Sequence, residues 1–145
     1  MKKTILLIFL FGLFFSCKDS DSLNKETSDT NLEFTDYYNR KVKVKHNPET
    51  IISLSPGITE ILFDLGVGNK IIGRTIFCNF PKEALQIEAI GGITDANLEL
   101  IIALRPQIVI TSSMVRKDFV ENIEKAGISI ICLPERSNIE GVYNT

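Results

Sequence analysis

Tryptophan is absent from the 145 residues, histidine occurs once and cysteine three times. Zinc wants three or four His, Cys or carboxylate ligands. The single His46 leaves any multi-histidine cluster to residues beyond Thr145. Three cysteines are too few for a disulfide-dense mini-protein. A basic excess is also lacking. Lys and Arg number 16 against 18 Asp and Glu, a net charge of -2, so nucleic acid is not an expected partner. No apolar run reaches the ~20 residues of a membrane-spanning helix. Neither a phosphate-binding G-x-x-x-x-G-K-[ST] loop nor a G-x-S-x-G elbow occurs. Gly66, Gly68 and Gly73 miss the dinucleotide spacing and follow a helical pattern instead of opening one. A triad needs its base beside the nucleophile, and His46, between a hairpin pattern and Pro48, reads as an exposed loop residue. These absences argue against an enzyme and leave non-catalytic binding as the class to develop. The 44% of apolar residues is enough for one globular domain.

The first segment reads as an address. Lys2 and Lys3 precede the apolar run Thr4 to Phe15, and Ser16-Cys17 follows. A charged start, a short apolar core and a small residue before the cut describe a secretory signal. With Cys17 it resembles a bacterial lipoprotein signal over 1–16, cleaved before Cys17, which would carry diacylglycerol on its sulfur. Phe14 stands where such signals usually have Leu. Residues 17–32 are polar and read as a flexible tether. Lys18-Asp19-Ser20-Asp21 resembles the acidic tags that send some lipoproteins to the cell surface, so the anchor is expected in the cell envelope, facing the periplasm or the exterior.

Strand and helix patterns alternate through the rest. Phe34–Asp36 and Lys41–Val44 read as a hairpin with one lysine-bearing solvated face. Short apolar runs at Thr50–Leu54, Lys70–Thr75, Gln107–Thr111 and Ile128–Leu133 suit buried strands. Between them, Ile58, Ile61, Leu62 and Leu65 mark one helical face, with Glu60 in the first turn. Pro81–Leu85 reads as a helical turn, and Asn97 as the cap of a helix through Leu104. Val115, Phe119, Ile123 and Ala126 mark a further helix ended by Gly127. The expected fold is α/β: a doubly wound, mostly parallel sheet preceded by a small β-hairpin. Such sheets bind ligands beyond the carboxyl ends of their strands. Here those ends are Ser55-Pro56-Gly57, Ile76-Phe77-Cys78, Ser112-Ser113 and Pro134-Glu135-Arg136. If Cys78 and Cys132 follow non-adjacent strands they stand beyond the ~7 Å Cα separation of a disulfide, so two unpaired thiols are expected. Cys78 is open to two readings, a pocket-wall residue or a soft metal ligand; no metal site is assigned.

Four blocks carry a resemblance. Ile51 to Glu60 (IISLSPGITE), Ile72-Gly73-Arg74-Thr75 through Cys78-Asn79-Phe80-Pro81, Gly91-Gly92, and Asn97-Leu98-Glu99 with Ala103 to Ile110 keep one order and spacing. Together, from about Phe34 to Thr145, they resemble the periplasmic binding proteins for vitamin B12, haem and ferric siderophores. That family has two α/β lobes joined by a long helix, holds cargo between the lobes and delivers it to an ABC importer.

The resemblance implies a substrate-binding lobe over 33–137 and the start of the inter-lobe helix over 138–145, with the second lobe outside this sequence. It implies no intrinsic cofactor, a metal chelate, haem or cobalamin as cargo, and the importer's membrane subunits as partners. Phe77 falls where relatives set an aromatic against the ligand; as Phe it offers a flat apolar face and no oxygen to iron. Ile93 and Ser112 fall where B12 binders can carry Trp. Ser55, Pro56 and Cys78 lie at the same strand ends. Arg74 lies near that rim, either facing an acidic siderophore or propionate or standing at the surface. Glu99 matches a glutamate that docks on importer arginines, and its place in a first helical turn also suits the helix dipole. One wall alone forgoes about half of the apolar burial, at ~25 cal/mol per Å², so tight binding needs both lobes. A stand-alone adhesion or scaffold lipoprotein using the same fold is the alternative.

Overall fold

The computed structural model describes residues 31–135. The signal, Cys17, most of the tether and the start of the inter-lobe helix lie outside the described residues. The chain opens with β1 (Asn31–Thr35) and β2 (Lys41–Lys45), an antiparallel pair in which Leu32 faces Val44 and Phe34 faces Val42. β1 thus takes in Asn31 and Leu32, which the polar composition assigns to the tether. Asp36 belongs to the turn, not to the strand, because its carboxylate accepts the Tyr38 and Arg40 amides at 3.0 and 3.1 Å.

Four strands form the main sheet: β3 (Ile51–Ser53), β4 (Ile71–Arg74), β5 (Ile108–Ser112) and β6 (Ser129–Leu133). All pair in parallel, in the spatial order β4-β3-β5-β6. Successive side chains enter opposite faces. Ile52, Leu54, Val109 and Ile130 pack on one side with Ile101, Val120 and Ile123. Ile51, Ile71 and Ile108 pack on the other with Leu62, Val42 and Val44. Covering both faces explains why the strands read as unbroken apolar runs.

The helices that cover the sheet are α1 (Pro56–Asp64), α2 (Leu98–Leu104) and α3 (Lys117–Lys125). α1 begins with a proline, whose fixed φ suits the first helical position. Because it starts at Pro56, Glu60 stands beyond the first turn, which contains no acidic residue. Asn97 caps α2 by accepting the Leu100 amide at 2.9 Å. Val115 precedes α3 rather than joining it, and is buried against the core. Gly127, at φ +78°, ends α3 in the left-handed region, where a Cβ would be strained. Single turns of 3-10 helix occupy Gly68–Lys70 and Lys82–Gln86, the second near the expected 81–85 turn.

The hairpin covers the outer edge of β6. Tyr37 N–H donates to the Cys132 carbonyl at 2.8 Å. The Arg40 guanidinium donates to the Ile130 carbonyl at 3.2 Å, and the Cys132 amide donates to Asp36 at 3.4 Å. An edge strand left with bare amides and carbonyls invites pairing with other chains; here the Tyr37 amide and the Arg40 and Asp36 side chains meet those of Ile130 and Cys132. Arg40 also pairs with Asp36 and, at 2.6 Å, with Glu124. Burial acts to raise the Asp36 carboxyl pKa, but the hydrogen bonds and charge of Arg40 outweigh it and hold the group below its ordinary value.

Candidate functional site

The strand order places a reversal of winding between β3 and β5. From β3 the chain goes to β4 on one side, then crosses to β5 on the other. In open parallel sheets a crevice forms at such a point, beyond the carboxyl ends. Those ends carry Ser55 and Pro56 after β3 and Ser112 in the last position of β5. Ser55 and Pro56 are half-buried, and Ser112 is buried. The Ser112 hydroxyl accepts the Met114 amide at 3.4 Å. Its carbonyl accepts the Cys132 thiol at 3.4 Å.

Phe77 follows β4 at the same end. It is a central residue of the turn Thr75–Cys78, closed by the Cys78 amide donating to the Thr75 carbonyl at 3.1 Å. Thr75 and Cys78 are fully buried, whereas Ile76 and Phe77 are 56% and 55% exposed. The Ile76 amide donates to the Gly91 carbonyl at 2.8 Å, fastening the turn to the 91–93 loop. On that loop a Cβ at Gly92 would stand 3.5 Å from the Phe77 ring and collide with the Asp95 carboxylate. Glycine thus leaves room for the Asp95 carboxylate in the loop that lies against the aromatic turn. Ile93 is partly buried against the core beside it.

Two expected contacts point inward instead. Arg74 is 7% exposed, and its guanidinium donates to the carbonyls of Ala84 (2.6 Å), Thr75 (2.9 Å) and Leu85 (3.4 Å). It is neither a rim residue facing an acid nor a surface residue. It ties the 3-10 turn at 82–86 to β4, because a buried guanidinium must satisfy its donors locally. Cys78 has no exposed surface; its sulfur lies 3.1 Å from the hydroxyls of both Thr59 and Thr75. Cys78 and Cys132 are free and buried, after or within strands at opposite sides of the sheet, as their positions in the sequence imply. Burial, with the Asp36 charge adding to it, pushes the Cys132 thiol up to about 11.

The hairpin tip supplies residues that sequence reasoning missed. Tyr37 is 50% exposed beside the carboxyl end of β6. Its ring meets Tyr38 edge-on at 5.2 Å, and the Tyr38 hydroxyl donates to the Val115 carbonyl at 2.8 Å. Met114, 52% exposed, lies on the loop after β5. The carboxyl-end face therefore has apolar projections on both sides of the β3–β5 crevice. Two hollows, one beside Lys43 and Ser129 and one beside Arg105 and Pro106, lie at the opposite, amino end of the sheet. Glu99 is exposed in the first turn of α2. Among the described residues no three His, Cys, Asp or Glu side chains gather into a metal-holding group.

A family model described as periplasmic binding protein matches residues 51–145. An uncharacterized ABC transporter substrate-binding lipoprotein, YvrC of Bacillus subtilis, is 31% identical over 131 residues, covering 88% of this chain and 41% of the relative. A vitamin B12-binding protein of Vibrio parahaemolyticus is 42% identical over 62 residues, 43% of this chain and 22% of that protein. Among solved structures, the heme binding protein HmuT superposes with a TM-score of 0.70 at 22% identity, over 79% of this chain and 38% of that one. The periplasmic vitamin B12 binding protein BtuF of Vibrio cholerae gives 0.55 at 28% identity, over 59% and 34%. The chain spans less than half the length of these relatives.

Proposed function

This chain belongs to the periplasmic binding protein family, and we propose that it is the cargo-binding lobe of a lipid-anchored ABC-importer component. Its cargo is a metal chelate or corrinoid: a ferric siderophore, haem or cobalamin. The observation that carries the reading is Phe77, an aromatic left half-exposed on a turn whose two ends are fully buried, beside the crevice at the carboxyl ends. A flat apolar ring held in that way suits the face of a planar macrocycle. The relatives named as vitamin B12-binding proteins support the same cargo class.

In this reading Ser55, Pro56, Ile93 and Ser112 shape the wall beside Phe77, and a second lobe closes over it. Arg74 and Cys78 shape the wall from beneath and do not touch cargo. The relatives are named as binding proteins, and in this reading the chain binds cargo without transforming it. Glu99, exposed at the amino end of α2, docks on a basic patch of the membrane subunits; such charges set orientation and on-rate. In this reading Cys17 carries the anchor, and the tether joins the lobe at Asn31. Asn31 pairs with Lys45 at the amino end of the sheet, opposite the crevice. Fourteen tether residues, at most ~3.5 Å each, reach about 50 Å, enough for a lobe held either way up.

The test separates the two surfaces in the full-length protein. A Phe side chain buries 150–250 Å², and covering the exposed half at ~25 cal/mol per Å² gives about 3 kcal/mol at most. Phe77→Ala should therefore weaken cargo binding about tenfold to fiftyfold. Glu99→Ala should impair uptake and leave cargo affinity unchanged. Equal loss of affinity in both variants would remove the docking role, and unchanged affinity in Phe77→Ala would remove the cargo wall.

A further inference from the structure

Beneath Phe77 lies a buried polar chain that a purely apolar core would not need. Ser53, Thr59, Thr75 and Cys78 all have zero exposure. Thr59 Oγ1 stands 2.8 Å from Ser53 Oγ, 3.1 Å from the Ser55 carbonyl and 3.1 Å from Cys78 Sγ. Thr75 Oγ1 stands 3.1 Å from the same sulfur. Ser53 Oγ donates to the Ser55 carbonyl at 3.2 Å. One hydroxyl proton serves one acceptor at a time, so the thiol proton is needed to complete the chain. The sulfur is its junction: it joins the end of β3 and the first part of α1 to both ends of the turn that carries Phe77.

We propose that this Ser53–Thr59–Cys78–Thr75 chain is a positioning device that fixes the Phe77 ring over the crevice, with Cys78 as its junction. The inference rests on the proposed cargo role of Phe77 and adds what holds that residue in place. The exposed ring has only side-chain torsions left free, because the turn beneath it is tied at the Ile76 amide, the Cys78 amide and the Cys78 sulfur. A contact surface fixed before binding loses less rotamer freedom on binding. Arg74 strengthens the same base by donating to the Thr75 carbonyl at 2.9 Å.

The chain has no tryptophan, so Phe77→Trp installs a single fluorophore at the ring. In that background, Cys78→Ala should at least double the amplitude of fast anisotropy decay, and Cys78→Ser, which keeps a hydrogen-bonding group, should restore it. Cys132→Ala, a buried cysteine elsewhere in the sheet, should lower the Tm without changing the decay. If Cys78→Ala does not fold, Thr75→Val removes one of the two hydroxyls on the sulfur and should raise the fast amplitude by a smaller factor. Unchanged decay in folded Cys78→Ala or Thr75→Val, or an equal change in Cys132→Ala, would overturn the positioning role. Cyanocobalamin, haemin and a ferric hydroxamate siderophore are the probes for the other reading. If none quenches the indole in the parent full-length protein, the cargo role fails, while the anisotropy still decides whether Cys78 holds the ring.

Discussion

Replacing Asp36 by alanine should unlatch the hairpin from β6. The side chain is fully buried and accepts the amides of Tyr38, Arg40 and Cys132 as well as the Arg40 guanidinium. Breaking a buried ion pair from one side costs ~3–5 kcal/mol. Arg40 keeps Glu124 at 2.6 Å and its side chain is 16% exposed, which places the loss at the lower end. A buried amide left unpaired, such as that of Cys132, adds to it at ~1–3 kcal/mol. The expected total is about 4–6 kcal/mol, a large part of the ~5–15 kcal/mol that holds a domain of this size. At ~4–8 °C per kcal/mol the melting temperature should fall by about 16 °C or more. The pH dependence carries a second signature. The folded carboxyl is held below its ordinary value of 3.8, so its contribution is full above that value and is lost as pH falls through the lower, folded one. Urea denaturation followed by circular dichroism at pH 7 and across the acid limb measures both effects. A loss below about 1 kcal/mol at pH 7, with the acid limb unchanged, would refute the latch.

Two further outcomes follow from named residues. Cys17→Ser should release the protein from the membrane fraction; retention would remove the lipid anchor. Cys78 and Cys132, both buried and the latter with a thiol near 11, should resist alkylation at pH 8 in the folded chain and react fully in urea. Rapid labelling of either thiol in the folded chain would contradict their burial.

The strands were legible because a sheet covered on both faces needs apolar residues at consecutive positions, and Ile51-Ile52 and Ile108-Val109-Ile110 supply them between Pro and Gly stops. Asn97 was legible as a cap because capping is local: its acceptor serves Leu100, three residues on. Arg74 was not. Its charge argues for a surface, but the carbonyls of Ala84 and Leu85, on a 3-10 turn, meet it inside. The latch was also hidden, because Asp36 and Cys132 are 96 positions apart. Tyr37 gave no signal for the same reason: only the pairing of the hairpin with β6 carries it to the carboxyl-end face. Phe77 was assigned through resemblance, and the buried ends of its turn show how the chain keeps an aromatic exposed.

The measurement that bears most directly on the account is cargo binding by the full-length native product, purified from its own host. Titration calorimetry with cyanocobalamin, haemin and a ferric hydroxamate siderophore supplies it. The account expects saturable, one-to-one binding of at least one of the three, weakened about tenfold or more by Phe77→Ala. Failure of all three to bind would contradict the assignment of the carboxyl-end face to a metal chelate or corrinoid.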